Sequence, residues 1–418
     1  MKIRPENKYF TVVDQLLLSA TAFGTAVATA KYSDIKQLGI YSTFLVLLTL
    51  VQTIYASLVS GQMLLYSSNK CARIQHAIFR LTTCLWAIYA VIFISVVGLA
   101  YWLLESYITN TYRLPAIATA LCVIAITLFE QNRRHYYMQS RFLTSITSTT
   151  VFLLIHLCLS LVAYWYFSAK YTAAVALSSL SLSYLAAALL SAPLWRCVRG
   201  SKHLPISLCC ALQSRYAAQG KFGCGGLVLA WLQNQSINVF LLTFYGATVA
   251  GQFSLGRLMA TPALVLNNGL MSGVLPELRK KATKGKPRQL AEATQRHSNL
   301  SVVLTATYSV CLVFALQAGW LDNTLPAIAD AKRFIVFWAF LTALMVWRMW
   351  ATQFFIALIE FKLLLKCSIV STTYSLTALI MFSVMRLDPT LTALNIIIGE
   401  TILIYLLIKH KNRILSVT

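Results

Sequence analysis

Four ionisable side chains fall inside apolar stretches of this chain: Asp14, Arg257, Arg348 and Glu400. A charge near the centre of a membrane helix costs about 2.5–3.5 kcal/mol on insertion scales, so each of the four asks for a counter-charge, a polar solute or a water-filled space. Arg257 is the deepest. It lies about ten residues into its apolar run, or about 15 Å at the helical rise, close to the midplane of a hydrocarbon core about 30 Å thick. Thr261, Asn268 and Ser272 recur on its face at helical spacing, with Asn267 alongside. Other apolar runs carry polar positions too: Asp14, Thr21 and Thr25 in the first, Thr49, Gln52, Thr53 and Ser60 in the second, Asn234 and Asn238 in the seventh. Such groups can hydrogen-bond a polar solute or can hold helices to one another. Arg257 shifts the balance towards solute, and an anionic solute or the Asp14 carboxylate is what it would attract. Arg348 and Glu400 are opposite charges at depths that differ by about 7 Å, within reach of an arginine side chain. They read as a buried ion pair or as part of a proton or sodium relay. His156, set between Ile155 and Leu157, reads as a hydrogen-bonded core residue.

Other chemistries are missing. There is no Gly-x-x-x-x-Gly-Lys-[Ser/Thr] phosphate loop, no His-Glu-x-x-His and no Ser-His-Asp grouping outside the apolar runs, so neither ATP hydrolysis nor metal-assisted hydrolysis is expected. The ten cysteines are scattered, and Cys209-Cys210 is an adjacent pair without metal-ligand spacing. No metal and no cofactor are expected.

The elements that must position these residues are legible in the hydropathy. The chain is 58% hydrophobic with a mean hydropathy of +0.69, the composition of a polytopic membrane protein. Runs long enough to span fall near 11–30, 38–65, 79–104, 114–129, 147–168, 172–194, 225–245, 248–275, 298–320, 334–358, 363–385 and 390–408. The expectation is an all-α integral membrane protein of twelve transmembrane helices. It would divide into six-helix bundles at residues 1–195 and 225–418, with 196–224 a basic cytoplasmic linker. Lys2, Arg4 and Lys8 followed by an apolar run and Ala28-Thr29-Ala30 resemble a secretory signal, but Asp14 and Gln15 interrupt the run and it reads as a retained span.

The net charge of +23 excludes little until it is sorted by segment. With both termini inside, 26 of the 35 Lys and Arg fall in cytoplasmic segments and seven outside, which is the positive-inside pattern of membrane topology and not the footprint of a nucleic-acid binder. The densest cluster, Arg279 to Arg288, reads as a stop signal with a subsidiary role in contacting anionic lipids. Two echoes point to duplication. Gly39-Ile40-Tyr41-Ser42 returns as Gly251-Gln252-Phe253-Ser254 at an offset of about 212, and Ser145-Ile146-Thr147-Ser148-Thr149-Thr150 returns as Ser368-Ile369-Val370-Ser371-Thr372-Thr373 at about 223.

These residues resemble a known family. Asp14-Gln15 in the first span, Gly39-Ile40-Tyr41-Ser42 and Gly251-Gln252-Phe253-Ser254 opening the second and eighth, and Glu130-Gln131-Asn132-Arg133-Arg134 with Tyr136-Tyr137 after the fourth are similar to polysaccharide flippases of the multidrug/oligosaccharidyl-lipid/polysaccharide (MOP) exporter superfamily. The resemblance implies two pseudo-symmetric, MATE-like six-helix bundles around a central cavity lined by spans 1, 2, 7 and 8, which opens alternately to each side. It also implies a cation on the eighth span that meets a pyrophosphate, and Arg257 is similarly placed. The first span brings an acidic Asp14 and no arginine, and no helix pair follows the twelfth, so O-antigen or exopolysaccharide units are expected in preference to a peptidoglycan precursor.

The expected function is therefore transport, not catalysis: flipping an undecaprenyl-pyrophosphate-linked oligosaccharide from the cytoplasmic to the periplasmic leaflet of a bacterial inner membrane. The substrate-binding set would be Arg257, Thr261, Asn268, Ser272, Gln52, Asn234, Asn238 and Asp14. The partners implied are the lipid-linked substrate, membrane lipids, a coupling proton or sodium ion, and a polysaccharide polymerase with other assembly proteins; no nucleic acid is expected. The rivals are a multidrug antiporter of the same fold, which a midplane cation disfavours, and a membrane glycosyltransferase or polymerase, which the short outer loops disfavour.

Overall fold

The computed structural model describes residues 6–55, 58–59, 72–104, 110–139, 141–166, 172–191, 206–285, 287–320 and 327–417. Among them there are twelve long helices and no strand: α1 (Glu6–Tyr32), α2 (Ile35–Tyr55), α3 (Ala72–Leu104), α4 (Asn110–Met138), α5 (Phe142–Tyr166), α6 (Ala173–Leu190), α7 (Ile206–Tyr245), α8 (Ala247–Thr283), α9 (Pro287–Gln317), α10 (Ala327–Leu358), α11 (Phe361–Val384) and α12 (Pro389–Val417). Eleven are long and apolar enough to cross a membrane. On its described residues α1 is not among those eleven.

Turn chemistry sets the breaks. Gly246, at φ 89°, separates α7 from α8 in a conformation that disfavours any side chain. Proline opens α9 and α12, where its missing N–H costs nothing. Before Pro389, Asp388 caps α12: Thr390 N–H donates to its Oδ1 at 2.8 Å and holds its carboxyl below the usual carboxylate range. Two expected boundaries move. Helix α4 continues to Met138, well past the apolar run that ends at residue 129. Of the stretch read as a linker, residues 196–205 lie outside the described residues, while residues from 206 on are helical and run without a break into α7.

The chain forms two compact units. The first holds the described residues up to Thr25 together with Phe44–Leu227; the second holds Ala26–Thr43 and the chain from Val228 onward. In the first, Phe129 of α4, Phe152 of α5 and Tyr184 of α6 build the core, with the Phe152 and Tyr184 rings stacked 4.2 Å apart. The second has two cores along α10. Phe334, Phe337 and Trp338 surround Phe253 of α8, and Trp350, Phe354 and Phe355 pack on Leu403 and Leu407 of α12. Outward faces are apolar as well: Ile88, Val91, Ile92 and Val96 of α3 and Leu154, Leu157 and Leu161 of α5 are exposed, as suits helices solvated by lipid.

Both sequence echoes have a structural cause. In the second unit α2 crosses α8 at the two glycines of the first echo: a Cβ on Gly39 would strike the Ala247 carbonyl, and one on Gly251 the Ile35 carbonyl. Three residues after each glycine the echo's serines meet, with the Ser42 and Ser254 hydroxyls 2.6 Å apart. The second echo joins the fifth helix of each half to the first. Ser145 and Thr149 of α5 donate to Asp14 of α1, while Ser371 and Thr372 of α11 donate to Gln233 and the Leu229 carbonyl of α7.

Candidate functional site

Asp14 is wholly buried in the first unit and is the hub of its polar interior. Arg133 of α4 donates to its Oδ2 from Nη2 at 2.6 Å and from Nε at 3.3 Å. Tyr137, Thr149 and Ser145 donate to the same carboxylate, the last at 3.1 Å. Arg133 also pairs with Glu130, whose other oxygen lies 3.6 Å from Arg134. The remaining polar residues of that α4 segment tie helices together: Gln131 accepts from Tyr55 of α2 at 2.7 Å and donates to Thr82 of α3 at 2.6 Å, and Asn132 donates to the Ala188 carbonyl of α6 at 3.0 Å. These bonds and ion pairs let the segment stay helical and buried. Sequence reasoning counted Arg133 with a cytoplasmic loop. The available signal was its spacing, since Glu130 stands three and four residues before Arg133 and Arg134, the separations at which helical side chains meet.

In the second unit Arg348 of α10 places Nε 2.7 Å from Glu400 Oε2 of α12, and Gln233 of α7 donates to the other oxygen at 3.2 Å. Gly399 makes the room, because a Cβ there would press on the Gln233 side chain. Glu400 is wholly buried and Arg348 nearly so. The arrangement is a satisfied ion pair locking α7, α10 and α12.

Arg257 is different. Its Nη1 donates to Gln235 Oε1 of α7, and its guanidinium carbon lies 5.7 Å from the centre of the Trp338 ring, a cation–π contact with α10. Among the described residues no carboxylate stands within ion-pair distance of it. It is only partly buried. Gln235 and Trp338 orient the guanidinium without neutralising it, so the charge is available to an anion.

The other expected site residues divide between the units. Gln52 and Asp14 belong to the first; Arg257, Thr261, Asn268, Asn234 and Asn238 belong to the second. Thr261 turns its hydroxyl back to the Arg257 carbonyl at 3.0 Å, and Asn268 is exposed. The side chain of Ser272 lies outside the described residues, as does Ser60. Asn238 is buried with Oδ1 3.1 Å from Ser254 Oγ, and Asn234 donates to the Ala230 carbonyl at 3.0 Å. Asn267 is buried towards Thr305 of α9 at 3.0 Å. On α1, Thr25 faces His156 of α5 at 2.6 Å, and Ser183 of α6 meets the other ring nitrogen at 3.2 Å. No cluster of His, Cys, Asp and Glu able to hold a metal occurs among the described residues.

No protein-family model matches the sequence, and no curated protein does. Solved structures match its fold along almost the whole chain. An "inward-facing conformation of a multidrug resistance MATE family transporter of the MOP superfamily" aligns with a TM-score of 0.73 at 13% identity over 96% of this chain and 95% of that one. A MATE protein in complex with MaL6 aligns at 0.72, with 11% identity over 99% and 96%. A MOP superfamily transporter from Pyrococcus furiosus, reported with a binding pocket of reverse polarity that suggests a different function, aligns at 0.67, with 12% identity over 99% and 96%. The chain therefore has the all-helical fold of MATE transporters of the MOP superfamily, and it is a multi-pass membrane protein.

Proposed function

We propose that this chain is a flippase that carries an undecaprenyl-pyrophosphate-linked oligosaccharide, an O-antigen or exopolysaccharide unit, from the cytoplasmic to the periplasmic leaflet of a bacterial inner membrane. One observation carries the reading. Among the described residues both deeply buried carboxylates of the apolar helices, Asp14 and Glu400, face arginines, whereas Arg257 faces none. The charge left over in the membrane is positive. A site of that sign lowers the desolvation cost of a pyrophosphate and repels a cation. Thr261 and Asn268 on the same helix supply hydrogen-bonding groups for sugars. In this reading both termini are cytoplasmic, the protein works by alternating exposure of the site to the two leaflets, and it performs no bond chemistry of its own.

The multidrug reading is favoured by the neighbours described as multidrug resistance transporters. A cationic drug would want an unpaired carboxylate, and among the described residues the two carboxylates deeply buried in the apolar helices, Asp14 and Glu400, are each paired with an arginine. The neighbour reported with a binding pocket of reverse polarity supports the view that pocket polarity, and with it function, varies on this fold. Depleting the protein in its host discriminates the readings. Accumulation of lipid-linked oligosaccharide in the inner leaflet is expected; unchanged lipid-linked pools with new sensitivity to cationic drugs would make it an antiporter.

A further inference from the structure

The second unit encloses a cavity of about 180 Å³ between α9, α10 and α12. Trp350 and Phe354 form its floor, and Thr294, Ser298, Lys411 and Asn412 bring polar groups to it. These positions share one end of the unit: the third and fourth turns of α9 and the closing turns of α10 and α12. Basic residues mark that end, with Arg288 and Arg296 on α9 and Lys409 and Arg413 beside Lys411. Basic residues gather at headgroup depth in membrane helix bundles.

The lining contains one cation and no carboxylate. Lys411 is half-buried with its Nζ 5.8 Å from the Phe354 ring centre, and its one described side-chain acceptor is Gln295 Oε1 at 3.4 Å. Trp350 is wholly buried, and its indole N–H has no acceptor among the described residues. A half-buried ammonium in a cavity without a carboxylate calls for an acceptor that is negative. Of the lining residues exposed at the surface, Trp347 and Ile408 are apolar and Gln295 and Asn412 polar. The volume equals about six waters, too small for an oligosaccharide head. A neighbouring groove of about 770 Å³ shows the contrast: it contains Glu277, Glu292, Lys281 and Arg296, and Lys281 is already 3.3 Å from Glu277.

We propose that this cavity binds the phosphate headgroup of an anionic phospholipid, whose acyl chains lie along Trp347 and Ile408. The proposal does not depend on what the protein transports. Lys411 supplies the charge and Asn412 donates a hydrogen bond.

Native mass spectrometry of the purified full-length protein, titrated with phosphatidylglycerol or phosphatidylcholine, tests it. One tightly held phosphatidylglycerol is expected, with Lys411→Met weakening it about tenfold, the worth of one charge-assisted hydrogen bond. Asn412→Leu removes one amide donor from the lining, so a smaller loss is expected; Lys281→Met in the neighbouring groove should change nothing. Equal retention by wild type and Lys411→Met would overturn the site. Equal retention of phosphatidylcholine would remove its anion specificity, and displacement of the lipid by millimolar inorganic phosphate would reassign the cavity to a free anion.

Discussion

Removing Arg133 should damage the first unit more than removing its partner Asp14, and the asymmetry follows from the geometry. Arg133→Met takes two hydrogen bonds and the one positive charge paired with it among the described residues from Asp14, which keeps the hydroxyls of Tyr137, Thr149 and Ser145 but becomes an uncompensated buried carboxylate. It also takes Arg133 from Glu130, leaving Arg134 at 3.6 Å as the remaining partner. Breaking a buried pair in this way costs about 3–5 kcal/mol. Asp14→Asn strands nothing comparable, because Arg133 keeps Glu130, and the loss is that of a charged hydrogen bond, about 1.5–3 kcal/mol. Combining the two should cost clearly less than their sum, since the carboxylate that Arg133→Met strands no longer exists. Equilibrium unfolding in mixed detergent and SDS micelles, compared across the two single variants and the double variant, measures all three values. Equal or reversed single costs, or additive damage in the double variant, would refute the assignment of Arg133 as the counter-charge.

Three further outcomes are expected. Arg348→Met and Glu400→Gln should each destabilise by about 3–5 kcal/mol, and together should recover much of that, as read by the same unfolding cycle. Gly39→Ala should destabilise by about 1–3 kcal/mol because its methyl meets the Ala247 carbonyl, whereas Gly24→Ala, with open space around it, should stabilise by about 0.5–1 kcal/mol; a gain at both positions would contradict the close crossing of α2 and α8. Single cysteines at Lys284 and Arg386 in a cysteine-free background should be protected from and open to an impermeant reagent added outside, respectively, and the reverse pattern would invert the proposed topology.

Hydropathy alone located the helices because each needs a run of apolar residues to meet lipid, and the two echoes marked positions that the fold constrains twice, at a glycine crossing and at a hydroxyl grip on the first helix of each half. Arg133 escaped for the complementary reason. A segment reading Glu-Gln-Asn-Arg-Arg looks like a loop to any hydropathy window, yet in three dimensions its charges cancel within the helix and against Asp14, and its amides bond α2, α3 and α6. Arg257 was legible as a charge out of place. Its neighbours Gln235 and Trp338 were not, since they lie on other helices and look ordinary in sequence.

The central claim is that Arg257 attracts an anionic headgroup, and a flipping assay in proteoliposomes tests it most directly. Matched amounts of wild type, Arg257→Ala and Arg257→Lys should be compared with a fluorescent undecaprenyl-pyrophosphate-linked sugar as substrate. The account predicts that Arg257→Ala inserts normally and loses transport while Arg257→Lys keeps part of it, because a lysine retains the charge and loses the bidentate fork. Transport by Arg257→Ala at the wild-type rate would contradict it.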